Sequence, residues 1–212
     1  MKKIIAFVFL FLSLWANAQN EQLAQNYYDR GEFEKAVVSY EELLKNNPGN
    51  SLFFQRTVEC YQQLQQFDKA EKALQARLEK FKQSNLLIEL GYNYQLQKDE
   101  AKAKKHYEQA IDRISKNVNE AYGIGFAFER KSLLDYALLA YKTATEIEPR
   151  LTFNSQMAVI YGQQGKTDLM IETYLVEAYQ NPQNLPLIQS QLSRFMNEDA
   201  DETFNDNLRK SL

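Results

Sequence analysis

A small residue recurs along this chain at Ala36, Ala70, Ala103 and Ala137, and Met170 takes the fifth place in the same register. Four residues after each stands a large one: Tyr40, Leu74, Tyr107, Tyr141 and Tyr174. Nine before each stands an aromatic (Tyr27, Tyr61, Tyr94, Phe128, Tyr161), and three before those come Ala24, Val58, Gly91, Gly125 and Ala158. A step of about 34 residues constrains the fold more than any other feature here, because a unit of that length has room for two short helices and a turn. Side chains four apart share one helix face. Small residues then let two backbones approach, and the aromatics fill the space around them. Pro48, Pro149 and Pro182 each fall twelve residues after the small position, where they stop the second helix. Gly31 and Gly165 suit the turn within a unit, where a left-handed residue ends the first helix.

With LGYNY at 90–94 followed by AKKHY at 103–107, and IGFAF at 124–128 followed by ALLAY at 137–141, the chain resembles the tetratricopeptide repeat family. The resemblance runs over roughly residues 19–182. It implies an all-α fold, a right-handed α-solenoid of antiparallel helix pairs, with five repeats at about 19–50, 51–83, 84–117, 118–150 and 151–183. One pair cannot bury its own apolar face, so stability comes from stacking neighbours. Val58 and Arg77 in the second repeat, and Met170 and Glu177 in the fifth, replace small residues, so packing there is expected to be looser or adjusted. Two intervals are 33 residues rather than 34, which predicts shortened turns between repeats. Residues 184–212 read as a degenerate sixth pair or cap. Leu185, Ile188, Leu192 and Phe195 share one helical face, and Phe204, Leu208 and Leu212 share another. The apolar end at Leu212 suggests repeats continuing in a longer chain.

The first 18 residues carry Lys2 and Lys3, an apolar run from Ile4 to Trp15, and then Ala16-Asn17-Ala18. That order is a secretory signal peptide, cleaved after Ala18, and the run is shorter than the roughly 20 residues a spanning helix needs. The expectation is a periplasmic or secreted protein with no integral membrane span after cleavage. A formal charge of −3 gives no cationic surface for phosphates, so nucleic acid is not expected as a partner. Cys60 is the sole cysteine, which rules out an intrachain disulfide and fits a small buried side chain.

Nothing in the chain assembles a catalytic constellation. His106 is the sole histidine, which excludes a three-histidine metal site. Gly123-Ile-Gly125 lies within a helix as a close-packing site rather than a phosphate loop. The basic stretch at 98–106 reads as a solvated second-helix face. The reading is therefore no enzyme, no metal and no cofactor.

In the family that the chain resembles, first helices of successive repeats line a groove that takes a peptide. Carried onto this register, the groove holds Gln55, Arg56, Glu59, Glu89, Tyr92, Tyr122, Phe126 and Arg130, with Gln22, Gln25, Tyr28 and Glu129 beside them. The family's clamp for acidic C-termini needs Lys and Asn where this chain has Glu21 and Gln25, so that ligand is not implied. For Tyr122 and Phe126 two placements stay open: anchors facing a partner, or rings packed between first helices. The expected function is an exported scaffold that binds a protein or peptide partner in the bacterial envelope. The alternative is the non-catalytic arm of a longer envelope enzyme or of a secretion or assembly component.

Overall fold

The computed structural model of the chain describes residues 19–193, and every regular element among them is helical. The helices are α1 (residues 19–29), α2 (Phe33–Asn46), α3 (Ser51–Gln63), α4 (Phe67–Phe81), α5 (Asn85–Leu96), α6 (Glu100–Lys116), α7 (Ala121–Arg130), α8 (Leu134–Ile147), α9 (Asn154–Gln163), α10 (Thr167–Gln180) and α11 (Leu185–Ser193). They group into two compact units that divide within α6, one ending at His106 and the other beginning at Tyr107. The leader assigned to residues 1–18, and the faces expected at Phe195, Phe204, Leu208 and Leu212, lie outside the described residues.

Burial follows the repeat register. Ala36, Ala70, Ala103, Ala137 and Met170 are all essentially inaccessible, as are Tyr40, Leu74, Tyr107, Tyr141 and Tyr174. In α2 the buried set is Ala36, Val37, Tyr40 and Leu43, the i, i+1, i+4, i+7 stripe of a helix with one face in the core. Each large apolar side chain removed from water in this way contributes roughly 1.5–3 kcal/mol. Within residues 19–106 the first helices α1, α3 and α5 lie side by side. Tyr28 of α1 reaches Glu59 of α3, and Gln62 of α3 reaches Asn93 of α5. The second helices α2 and α4 pack behind them, held in part by Tyr61 on Glu41 and by Tyr94 on Glu71.

Every first helix ends in the same way. Gly31, Gln65, Lys98, Ser132 and Gly165 all adopt positive φ, between 56° and 73° with Gly31 highest. The next residue in each case returns its N–H to the carbonyl five positions back, as from Glu32 to Tyr27 and from Gln66 to Tyr61. Asp99, Leu133 and Lys166 repeat that bond. This is the Schellman closure, in which one left-handed residue satisfies the orphan carbonyls of a helix end. Only two of the five positions hold glycine, so three turns accept the left-handed strain of a side chain.

The helix-ending role of proline is also plain. α2, α8 and α10 each stop two residues before Pro48, Pro149 and Pro182, because the residue preceding a proline is driven out of the helical region. Of the two 33-residue intervals, the first shortens the α4–α5 connection to residues 82–84, as expected. The second does not shorten α8–α9. That connection spans residues 148–153, and α9 begins late in its repeat, at Asn154.

All four departures from small residues, Val58, Arg77, Met170 and Glu177, are buried, and the two charged ones find partners. Arg77 is buried and donates to the carbonyls of Pro48 and Gly49 at 3.2 and 3.3 Å, with its guanidinium 4.3 Å from the centre of the Phe54 ring. Glu177, seven residues after Met170 as Arg77 is after Ala70, accepts from the side-chain amides of Asn154, Asn181 and Asn184 at 3.3, 3.1 and 2.7 Å. A long cation bonds back to the turn before its repeat's first helix. A carboxylate gathers two amides from the turn after its own helix and one from the start of α9. Both adjust the packing, and neither loosens it.

Candidate interaction surface

On α3, Gln55, Arg56 and Glu59 are three and four residues apart and therefore share a face. Glu59 accepts from Gln55 at 2.7 Å, from Arg56 at 2.9 Å and from the Tyr28 hydroxyl of α1 at 2.9 Å. The Arg56 guanidinium sits 4.2 Å from the centre of the Tyr28 ring, a cation–π contact. Burial pushes Glu59 upward, but the hydrogen bonds from Gln55, Tyr28 and Arg56 outweigh it and hold the carboxyl below its ordinary value. Burial, reinforced by the bond to Glu59, pushes the Tyr28 hydroxyl up to about 12. The Glu59 carboxylate is thus satisfied from within the cluster, while Nε of Arg56 is buried without a hydrogen-bond partner. Glu89 and Tyr92, on α5 of the same unit, are half-buried and have contacts of their own.

Beside this cluster, Glu21, Gln22, Gln25 and Asn26 of α1 line a cleft of about 330 Å³ whose apolar wall is Tyr40, Leu52 and Phe53. Gln25 is committed at both ends, accepting from Tyr40 at 2.9 Å and donating to Asp29 at 2.7 Å. Sequence reasoning placed Gln25 on a free face and did not include Leu52. Leu52 is an apolar residue at the start of α3, outside the core register and 47% exposed, and that combination was the available signal.

In the second unit, Tyr122 and Phe126 of α7 stand one turn apart. Their rings are nearly parallel at 3° with centroids 6.2 Å apart, and they are 54% and 49% exposed. Of the two placements left open by the sequence, the one facing outward fits these exposures. Gly123, between them, has no atom within 4 Å of where a Cβ would stand. Gly125 is the opposite case, since a Cβ there would lie 2.3 Å from Cζ of the buried Tyr141. Only Gly125 is the close-packing site; Gly123 is exposed. Arg130 is exposed at the end of α7, while Glu129 accepts from the Tyr141 hydroxyl at 2.6 Å and so serves the core. The predicted residues therefore fall in separate places: Gln55, Arg56 and Glu59 bonded together on α3, Glu89 and Tyr92 on α5, and Tyr122, Phe126 and Arg130 on α7.

Cys60 is fully buried, and burial pushes its thiol up to about 12, so little thiolate forms at neutral pH. Among the described residues, no three His, Cys, Asp or Glu side chains are placed to hold a metal ion, and no helix is long and apolar enough to cross a membrane.

Paired helices, closed by one turn type and stacked on a repeating core, define a helical-repeat protein. Tetratricopeptide repeat models match residues 27–88 and residues 84–117. The chain is a tetratricopeptide repeat protein, an interaction scaffold of a family whose members are generally non-catalytic. Over 130 residues it is 28% identical to the general transcriptional corepressor trfA of Dictyostelium discoideum, a match spanning 60% of this chain and 9% of that protein. Among solved structures it is similar to TTC0263, a thermophilic tetratricopeptide repeat protein of Thermus thermophilus. That likeness has 19% identity and a TM-score of 0.43, covering 85% of this chain and 98% of that one. It is also similar to a tetratricopeptide repeat protein from Parabacteroides merdae, with 12% identity and a TM-score of 0.40, covering 92% of this chain and 78% of that one.

Proposed function

We propose that this chain is an exported, non-catalytic scaffold of the bacterial envelope that holds an extended segment of a partner protein against its first helices. The observation that carries the reading is the Tyr122–Phe126 pair, two large rings half-exposed on one helix face and not used by the core. Rigid rings give contact area at low entropic cost, which is why aromatic side chains dominate binding hot spots. Export rests on the order of charged, apolar and small residues at the N-terminus.

A phage-displayed library of random 16-residue peptides, panned on the purified protein, tests the binding. Enriched peptides should lose affinity on Tyr122→Ala with Phe126→Ala, by roughly thirtyfold for a hot spot of about 2 kcal/mol. A library that yields nothing, or peptides indifferent to both rings, would remove this reading. For export, the mass of the protein recovered outside the cytoplasm should correspond to a chain beginning at Gln19; a chain retaining Met1 in the membrane fraction would contradict it.

A further inference from the structure

We infer that the cleft of the first repeat selects a partner segment carrying a lysine or arginine beside an apolar residue. The inference rests on the peptide-binding reading and deepens it. Charge is segregated within residues 19–106. The first helices α1, α3 and α5 carry the carboxylates of Glu21, Asp29, Glu59 and Glu89 against a single base, Arg56, with Arg30 in the turn that closes α1 and no lysine. All ten lysines of this unit lie on α2, α4, α6 or the turns. Arg56 is spent on Glu59 at 2.9 Å and Arg30 follows Asp29 in the turn after α1, so Glu21 is the carboxylate at the cleft to which α1, α3 and α5 bring no second base.

Glu21 is exposed and lines the cleft, whose other wall is Tyr40, Leu52 and Phe53. Gln25, held between Tyr40 and Asp29, fixes that wall to the acidic rim. A cation at Glu21 would gain Coulomb attraction, while an adjacent apolar side chain would cover Leu52. An acidic segment would meet like charge, and such a juxtaposition disfavours a partner strongly. The half-exposed Leu52 explains why charge alone does not describe the ligand, because a purely basic segment would leave that apolar surface wet.

The test uses the same random library and then synthetic peptides acetylated at the N-terminus and amidated at the C-terminus. Peptides enriched on the parent should place Lys or Arg next to Leu, Ile, Val or Phe. Their affinity should fall at least tenfold on Glu21→Lys and severalfold on Leu52→Ala, with both variants retaining the parent's circular dichroism. Raising salt from 50 to 500 mM should weaken the parent complex and leave the Glu21→Lys complex nearly unmoved. Enriched peptides that are acidic or uncharged would overturn the inference and leave peptide binding standing. So would basic peptides indifferent to Glu21→Lys, or peptides that bind only with a free amino terminus. A library that enriches nothing would take the peptide-binding reading with it.

Discussion

The first-helix surfaces of the two units are built on opposite plans. On α3 the outward side chains bond to one another, with Glu59 accepting three bonds and Arg56 stacked on Tyr28. On α7 the equivalent turn presents Tyr122 and Phe126 to solvent with an open glycine between them. One repeat register therefore yields a surface that is part of the scaffold's own bonding, and another that is spare. The practical consequence is that substitutions on α3 should register in stability, whereas those at the α7 aromatics should register in binding.

The largest expected effect comes from the buried side of α7. Gly125→Leu forces atoms into the ring of Tyr141, which cannot swing away because it is fully buried and bonded to Glu129. Overpacking of this kind costs about 1–3 kcal/mol, occasionally more. Gly123→Ala on the same helix meets open space and should stabilise by roughly 0.5–1 kcal/mol. Urea melts of the two variants should move in opposite directions; a common direction would mean the glycines do not divide between core and surface.

Next in size is Glu59→Ala, which leaves Arg56, Gln55 and Tyr28 without their shared acceptor. Bonds to charged groups are worth about 1.5–3 kcal/mol, and partial exposure of the cluster places the expected loss near the lower end. A midpoint unchanged from the parent would show the α3 cluster to be ornamental rather than part of the bonding.

The same cluster sets a pH window. Glu59 titrates below its ordinary value when folded, so its contribution is present above the unfolded carboxyl range and is lost as pH falls through the folded value. Tyr28 is raised to about 12, so its contribution is complete below pH 10 and disappears as pH rises towards that value. Glu59→Gln should accordingly flatten the acid limb of stability against pH relative to the parent. Equal acid limbs would place the titration elsewhere.

The smallest expected change is in the melting of Tyr122→Ala with Phe126→Ala, within about 1 kcal/mol, since half-exposed rings contribute little burial. Unfolding of that double variant would make α7 as structural as α3 and erase the contrast.

Much of this was legible in the chain itself. The repeat spacing located the buried Ala and Tyr positions, the prolines that stop α2, α8 and α10, and the glycine turns, because each depends on periodicity and backbone preference over a few residues. Tertiary approach decided the rest. Gln25 looked free in sequence and proved committed, since its partner Tyr40 is fifteen residues away. Arg77 and Glu177 looked like packing faults, yet turns brought within reach by neighbouring helices supply their partners. Gly123 and Gly125 are indistinguishable by composition, and only the position of the Tyr141 ring separates them. A local pattern determines which face of a helix is buried, because 3.6 residues per turn repeat along one segment. Which polar group then meets which depends on side chains up to a repeat apart, and their distance exists only once the helices have packed.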